Sequence, residues 1–177
     1  MNPKLDKVTL ERIKTAHPLL RTELELIYRE IVDGISTPFV TVRFTHVLRT
    51  FVQQQELYSQ GRTKPGKVVT WAKAGYSYHN YGLAVDICLL IDRDKNGTFE
   101  EASWDMKIDG DNDGTPEFFE AVKIFEKHGW EWGGRWARPK TDNPHFQKTL
   151  GYNIQKLLAI NTKKDFIPNT TYVNIKK

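Results

Sequence analysis

The chain is poor in groups that would staple it covalently or anchor it in a membrane. Among its 177 residues Cys88 is the one cysteine, which excludes an internal disulfide framework and a cysteine-rich zinc finger. No apolar run approaches the ~20 residues that a membrane-spanning helix needs. The first residues, MNPKLDKVTLERI, hold no apolar h-region, so a classical secretory signal is not expected. Internal repeats, linkers and basic clusters with interleaved aromatics are also lacking. The net charge of +4 is mild. It suits an ordinary soluble protein or one with an anionic partner such as a cell wall, and nothing marks nucleic acid as the partner. What is present is 39% hydrophobic, 27% charged and 12% aromatic residues, which excludes a disordered or collagen-like chain. The length suits one domain with a real core, and a monomer is the default.

The periodicities predict a mixed order of elements. Thr9 is expected to cap a short first helix, and Pro18 to open a second. Leu20, Leu24, Ile27 and Ile31 form the buried stripe of that second helix, which stops at Gly34. Val40, Val42 and Phe44 alternate with polar residues as a half-buried strand does. Residues 51–60 read as a helix ending at Gly61, and Val68 to Trp71 as a short strand. Leu83 to Ile91, LAVDICLLI, reads as a buried central strand. A loop rich in Asp, Asn and Gly runs from Asp92 to Thr115. Pro116 then starts a helix that buries Phe118, Ala121, Val122 and Phe125 and stops at Gly129. Residues 130–149 read as strand, loop and strand, and a last helix covers Asn153 to Ile160. Strands and helices do not alternate regularly, so the expected class is α+β, a small antiparallel sheet with flanking helices. One domain is expected over 1–160, with a polar tail over 161–177 and no separate wall-binding domain.

Two places carry unexpected chemistry. Asp86 lies inside the apolar strand, where a carboxylate is costly unless paired or bound to a metal. His79 lies seven residues earlier, in the loop that enters the strand. A metal shared by the two is one reading; an Asp held by an Arg or by backbone N–H groups is the other. In TDNPHFQ, Thr141 to Gln147, Pro144 keeps Asn143 out of helical conformation and leaves His145 in an extended or turned segment. Two His and one Asp with an open fourth position is the pattern of a catalytic zinc site. Asp142, three residues before His145, then suits a general base. The plainer alternatives are a structural histidine and an Asx turn before proline.

The wording around these residues narrows the choice. Ser77 to Asp86, SYHNYGLAVD, fits SxHxxGxAxD. WEWGGRW from Trp130, followed by Asp142-Asn143-Pro144-His145-Phe146, fits WxWGGxW…DxPHF. Arg49 to Thr63 fits RTxxxQxxLYxQGRT. These motifs, and TLERIKTAHPLLR near the start, resemble the zinc peptidases of the D-Ala-D-Ala carboxypeptidase and L-alanyl-D-glutamate endopeptidase family. That group includes phage endolysins and is related to lysostaphin and the hedgehog signalling domain. The likeness covers roughly residues 8–160, and the LYSQGRT and WEWGGRW wording is similar to the L-alanyl-D-glutamate branch.

The resemblance implies a hedgehog/D-Ala-D-Ala metallopeptidase-like fold and a hydrolase that cleaves the L-Ala–D-Glu bond of peptidoglycan stem peptides. It implies zinc held by His79, Asp86 and His145. Asp142 takes the acid/base role, and Arg49 faces the substrate with a fixed positive charge. Gln54 and Ser77 are candidates for substrate or supporting hydrogen bonds. Trp130 and Trp132 are expected in the core, with Trp136 at the cleft wall. His17, His46 and His128 match no ligand position, and Cys88 reads as a small core residue. The alternatives are a D-Ala-D-Ala carboxypeptidase or dipeptidase, and a non-catalytic zinc- or calcium-binding wall protein. With no classical signal expected, a phage-type lysin held in the cytoplasm until release to the cell wall or periplasm fits, and so does a cytoplasmic or specially exported bacterial enzyme.

One further motif lies outside the resemblance. Residues 109–120, DGDNDGTPEFFE, match the EF-hand loop, with Asp109, Asp111 and Asp113 at positions 1, 3 and 5, glycine at 6 and Glu120 at 12. No clear helix precedes the loop, so this is a partial EF-hand, and a calcium site and a solvated acidic loop are equally open readings. A second loop from Asp92 begins alike but has Ser103 at position 12.

Overall fold

The computed structural model describes residues 5–35 and 37–176. Helix α1 (Lys7–Ile13) is capped by Asp6, not by Thr9 as expected. Thr9 is the third helical residue, and both its N–H and its hydroxyl donate to Asp6 Oδ2, at 2.9 and 2.7 Å. A cap must accept from the first-turn N–H groups, which only the residue before that turn can do. Asp6 also receives Arg43 Nη2 and Nε at 2.8 and 3.0 Å, which ties α1 to the first strand. Burial alone would raise the Asp6 carboxyl, but Arg43 and Thr9 together hold it below the usual carboxylate value. A folded-state pKa that is depressed gives stability above the unfolded value of about 3.9, lost as pH falls through the folded one. Asp6→Ala should therefore cost about 2 kcal/mol at pH 7, from one cap and one forked ion pair. Urea melts should show the gap to the parent protein narrowing toward pH 3. Equal stability at pH 7 would mean that α1 is held by other contacts.

A 3-10 turn at Pro18–Leu20 leads into α2 (Arg21–Gly34), whose Leu24, Ile27 and Ile31 are fully buried. Strand β1 (Val40–His46) points Val40, Val42 and Phe44 into the core. After α3 (Phe51–Ser59) the chain reaches β2 (Ala84–Ile91), the strand expected to be central. It is central: β2 pairs antiparallel with β1 on one side, and with β3 (Glu101–Ser103) and β5 (His145–Gln147) on the other. Strand β4 (Glu131–Trp132) pairs with β5 and closes the order β1-β2-β5-β4, with β3 beside β2. Helix α4 (Glu117–Lys127) precedes β4, and α5 (Ile154–Thr162) follows β5. The class is α+β, with a small antiparallel sheet and flanking helices, as expected.

Alternation along the strands separates core from site. Val85, Ile87 and Leu89 of β2 join the core cluster with Phe44 and Phe146. Phe125 of α4 stacks on Phe146 with centroids 4.2 Å apart and touches Phe44 and Trp130. The side chains of Asp86, His145 and Gln147 fall on the opposite face, because successive residues of a strand point to opposite sides. The register places Asp86 beside His145 and opposite His46, where β1 carries a bulge between Phe44 and His46. Such bulges re-aim side chains next to sites.

Three further expectations need correction. Val68 to Trp71 forms no strand. Val68, Val69 and Trp71 are exposed and no sheet edge pairs with them, so their apolar character serves a surface and not the core. The loop from Asp92 to Thr115 contains β3, too short and too polar to announce itself. The chain beyond residue 160 packs back: Val173 and Ile175 are buried, and the Val173 carbonyl lies 2.9 Å from His17 Nε2.

Candidate metal centre and cleft

His79 sits in a 3-10 turn, Tyr78–Tyr81, that feeds β2. Ser77 caps this turn by accepting from the His79 N–H at 3.3 Å, and Asn80 Oδ1 accepts the Gly75 N–H at 2.9 Å. Gly82 leaves the turn at φ +68°, and a Cβ there would meet His17 N at 2.6 Å. Only glycine takes both that backbone and that contact at no cost.

His79 Nε2, Asp86 Oδ1 and His145 Nδ1 form a triangle with edges of 3.0, 3.1 and 3.2 Å. The edge of a tetrahedron with zinc-like ligand distances of ~2.0–2.1 Å is about 3.3 Å. The tautomers follow from the outer contacts. His79 Nδ1 lies 2.9 Å from the Val47 carbonyl, which can only accept, so Nδ1 carries the proton. Gln147 Nε2 donates to Glu131 at 2.8 Å, which turns its Oε1 toward His145 Nε2 at 3.1 Å. His145 Nε2 is therefore protonated as well. Two imidazole lone pairs and a carboxylate oxygen thus converge with no proton between them. This is the donor set of a divalent cation whose outer contacts fix the ring orientation. Burial alone would raise the Asp86 carboxyl, but the two imidazoles draw it well below the usual range. Burial alone would lower His145, but Asp86 raises it. Both shifts express a site that attracts positive charge.

The triangle opens into a cleft of about 1110 Å³. Asp142 lines it, with its backbone held by Asp142 N–H to Gly133 carbonyl at 3.1 Å and His145 N–H to Asp142 carbonyl at 3.2 Å. A Cβ on Gly133 would lie 2.5 Å from the Asp142 carbonyl oxygen, so this close approach requires glycine. Crowding by the cleft wall, and then the Asp86 charge, raise the Asp142 carboxyl above its ordinary value. Arg49 also lines the cleft. Its Nη1 donates to Gln54 Oε1 at 3.0 Å and its Nη2 lies 3.4 Å from Asp86 Oδ2.

The structure brings His79, Asp86, His145, Asp142, Arg49 and Ser77 to one cleft. Gln54 differs: it is fully buried, grips Arg49, and donates to the Ala72 carbonyl at 2.7 Å. It positions Arg49 and does not reach the cleft. Ser77 lines the cleft, but its hydroxyl caps the His79 turn. Trp130 and Trp132 are buried, and Trp136 lies on the cleft wall with its ring 5.2 Å from that of His145. Cys88 is buried. His46, assigned no chemistry from sequence, lines the cleft with Nδ1 4.0 Å from Asp86 Oδ2. Gln147 and Glu131 were not singled out either. The available signal was that Gln147 shares the His145 face of a strand. Asp109, Asp111 and Asp113 lie together in a separate cluster.

Residues 70–148 match the D-alanyl-D-alanine carboxypeptidase family. The matched span holds His79, Asp86, Asp142 and His145, and the resemblance read from the motifs is borne out. The chain is 46% identical over 108 residues to a curated relative, peptidoglycan L-alanyl-D-glutamate endopeptidase CwlK of Bacillus subtilis (strain 168). That alignment spans 61% of this chain and 60% of the relative, about three fifths of each. Among solved structures, Serratia marcescens L-Ala D-Glu endopeptidase ChiX matches with a TM-score of 0.51 and 22% identity, over 82% of this chain and 90% of that one. At that identity the likeness concerns the fold. The family implies a metal, and the His79, Asp86 and His145 group fits one. Among the described residues, no helix is long and apolar enough to cross a membrane.

Proposed function

We propose that the protein is a zinc-dependent peptidoglycan peptidase that hydrolyses the L-Ala–D-Glu bond of stem peptides. The observation that carries this reading is the convergence of two imidazole lone pairs and the Asp86 carboxylate on the floor of an open cleft, with Asp142 and Arg49 on its wall. The name and 46% identity of the Bacillus relative support the choice of bond.

Zinc, when bound, supplies Lewis-acid polarisation and brings water toward ionisation near pH 7. The remaining chemistry belongs to the chain. Asp142 takes a proton from the attacking water as its oxygen bonds to the L-Ala carbonyl carbon. It then gives that proton to the D-Glu nitrogen as the C–N bond breaks. Its raised pKa suits a group that must hold a proton between these steps. Arg49 offers a fixed cation to the carbonyl oxygen or to a stem-peptide carboxylate, and Gln54 holds the guanidinium in place.

The family description favours a second reading, removal of a terminal D-Ala. The bond named for the Bacillus relative weighs against it.

Arg49→Lys keeps the charge but loses the planar fork that meets both Gln54 and substrate. We expect kcat/KM to fall about 10²-fold with unchanged zinc content. Steady-state kinetics on a muropeptide that change less than about threefold would remove Arg49 from the substrate site. The function itself is tested by stripping metal with a chelator and restoring one equivalent of zinc. Solubilisation of a peptidoglycan suspension should stop and then return. Activity indifferent to chelation would contradict the metal chemistry, and inactivity of zinc-loaded protein would contradict the peptidase reading.

A further inference from the structure

The Asp109 loop is far from fully used by its own hydrogen bonds. Asp109 Oδ2 accepts the Gly114 N–H at 3.1 Å, Asp111 Oδ1 the Asp113 N–H at 3.1 Å, and Asp113 Oδ1 the Thr115 N–H at 2.6 Å. These bonds only shape the loop. Each of the three residues also offers a carboxylate oxygen, and these lie within 4.8 Å of one another.

An independent observation points to a ligand. Glu117, at loop position 9, is 1% exposed. Its Oε1 accepts the Gly110 N–H at 2.7 Å, which pins the carboxylate against the backbone between Asp109 and Asp111. Its Oε2 is buried with no partner, and so are Asp109 Oδ1 and Glu120 Oε2. Among the described residues, no Lys or Arg forms an ion pair with any of these acids. Buried carboxylate oxygens without donors are expensive, and their concentration in one twelve-residue loop calls for a cation. The donors are all oxygen, which selects a hard ion. Several flexible carboxylates suit calcium better than magnesium, which keeps its own waters.

We propose that residues 109–120 form a calcium site in which Asp109, Asp111, Asp113, Glu117 and Glu120 supply the ligand oxygens. The neighbouring Asp92 loop is a weaker candidate. Both Asp92 oxygens already accept N–H groups, from Asn96 at 3.0 Å and Gly97 at 2.8 Å, and position 12 is Ser103.

The ion would steady more than its loop. Glu120 and Phe119 lie in the first turn of α4. Phe119 packs edge-to-face on Trp132, with centroids 5.9 Å apart. Trp132 Nε1 donates to the Asn143 carbonyl at 2.7 Å, beside Asp142. Calcium therefore anchors a strut that ends at the Asp142–His145 connection. The inference does not depend on the peptidase reading.

The test is calcium chloride titration of the zinc-loaded 177-residue chain, followed by calorimetry and thermal melting. We expect binding with Kd below about 10⁻⁴ M. Calcium at 100 times Kd should raise Tm by roughly 5–10 °C for a chain of this size, and equal magnesium should not. Glu120→Gln should weaken binding at least about 100-fold. Its metal-free Tm should be unchanged or higher, because a repulsive charge has gone. Asp111→Asn should also lose the calcium response, and it decides the matter if Glu120→Gln fails to fold. No heat and no Tm shift at millimolar calcium would overturn the proposal. So would a shift that Asp111→Asn retains.

Discussion

Asp142→Ala should lower turnover on peptidoglycan by about 10²–10⁴-fold while leaving zinc content unchanged. The side chain faces the cleft, and its segment is fixed by backbone hydrogen bonds to Gly133 and His145 that alanine keeps. Folding stability should therefore move by less than about 1 kcal/mol. Asp142→Asn sharpens the experiment. The amide preserves shape but cannot take the proton from water, so it should be nearly as inactive as the alanine variant. An asparagine variant with more than about a tenth of parent activity would show that Asp142 acts by position alone, and the general base would have to be sought elsewhere.

Asp86→Asn should abolish activity by a different route, the loss of metal. It removes the one anionic member of the triangle and leaves two imidazoles facing a neutral amide. Positioning residues of metal sites typically change affinity 10–100-fold. A direct anionic ligand should matter more, on the order of 10³-fold or beyond. Gln147→Leu offers the internal contrast. It keeps all three proposed ligands but frees His145 to change tautomer, so zinc affinity should fall by about 10–100-fold. Zinc affinity measured against a competing chelator should rank parent, Gln147→Leu and Asp86→Asn in that order. An Asp86→Asn variant that retained zinc with parent affinity would contradict the assignment of Asp86 as a ligand.

The fold was legible where a single physical pattern dominated. LAVDICLLI could only be a strand buried on both faces, and Asp86 stood out because a carboxylate has no reason to be there without a partner. The stripe of α2 and the Pro116–Gly129 frame of α4 were equally plain. Failures came where tertiary contacts decided. Asp6 caps α1 from its place before the first turn, and the tie from its carboxylate to Arg43, 37 residues away, is what local spacing does not announce. Val68 to Trp71 has strand-like composition but pairs with no strand.

At the site, the motif wording found the residues that line the cleft but not what fixes the two histidine tautomers. The tautomer of His79 is set by the Val47 carbonyl, a backbone atom that no sequence pattern marks. The tautomer of His145 depends on the Glu131–Gln147 pairing across β4 and β5, which exists only once the register is known. Gln54 belonged to the right motif. Its full burial, visible only in the fold, makes it a support for Arg49 and not a substrate contact. Asn80 is a similar case, donating to the Arg49 carbonyl at 2.9 Å.

The central claim is metal-dependent hydrolysis of one stem-peptide bond. The most direct measurement is mass spectrometry of fragments released from purified peptidoglycan by the zinc-loaded protein, with Asp142→Ala in parallel. New ends between L-Ala and D-Glu, absent with the variant, are the predicted result. Release of terminal D-Ala alone, or the same fragments from Asp142→Ala, would contradict it.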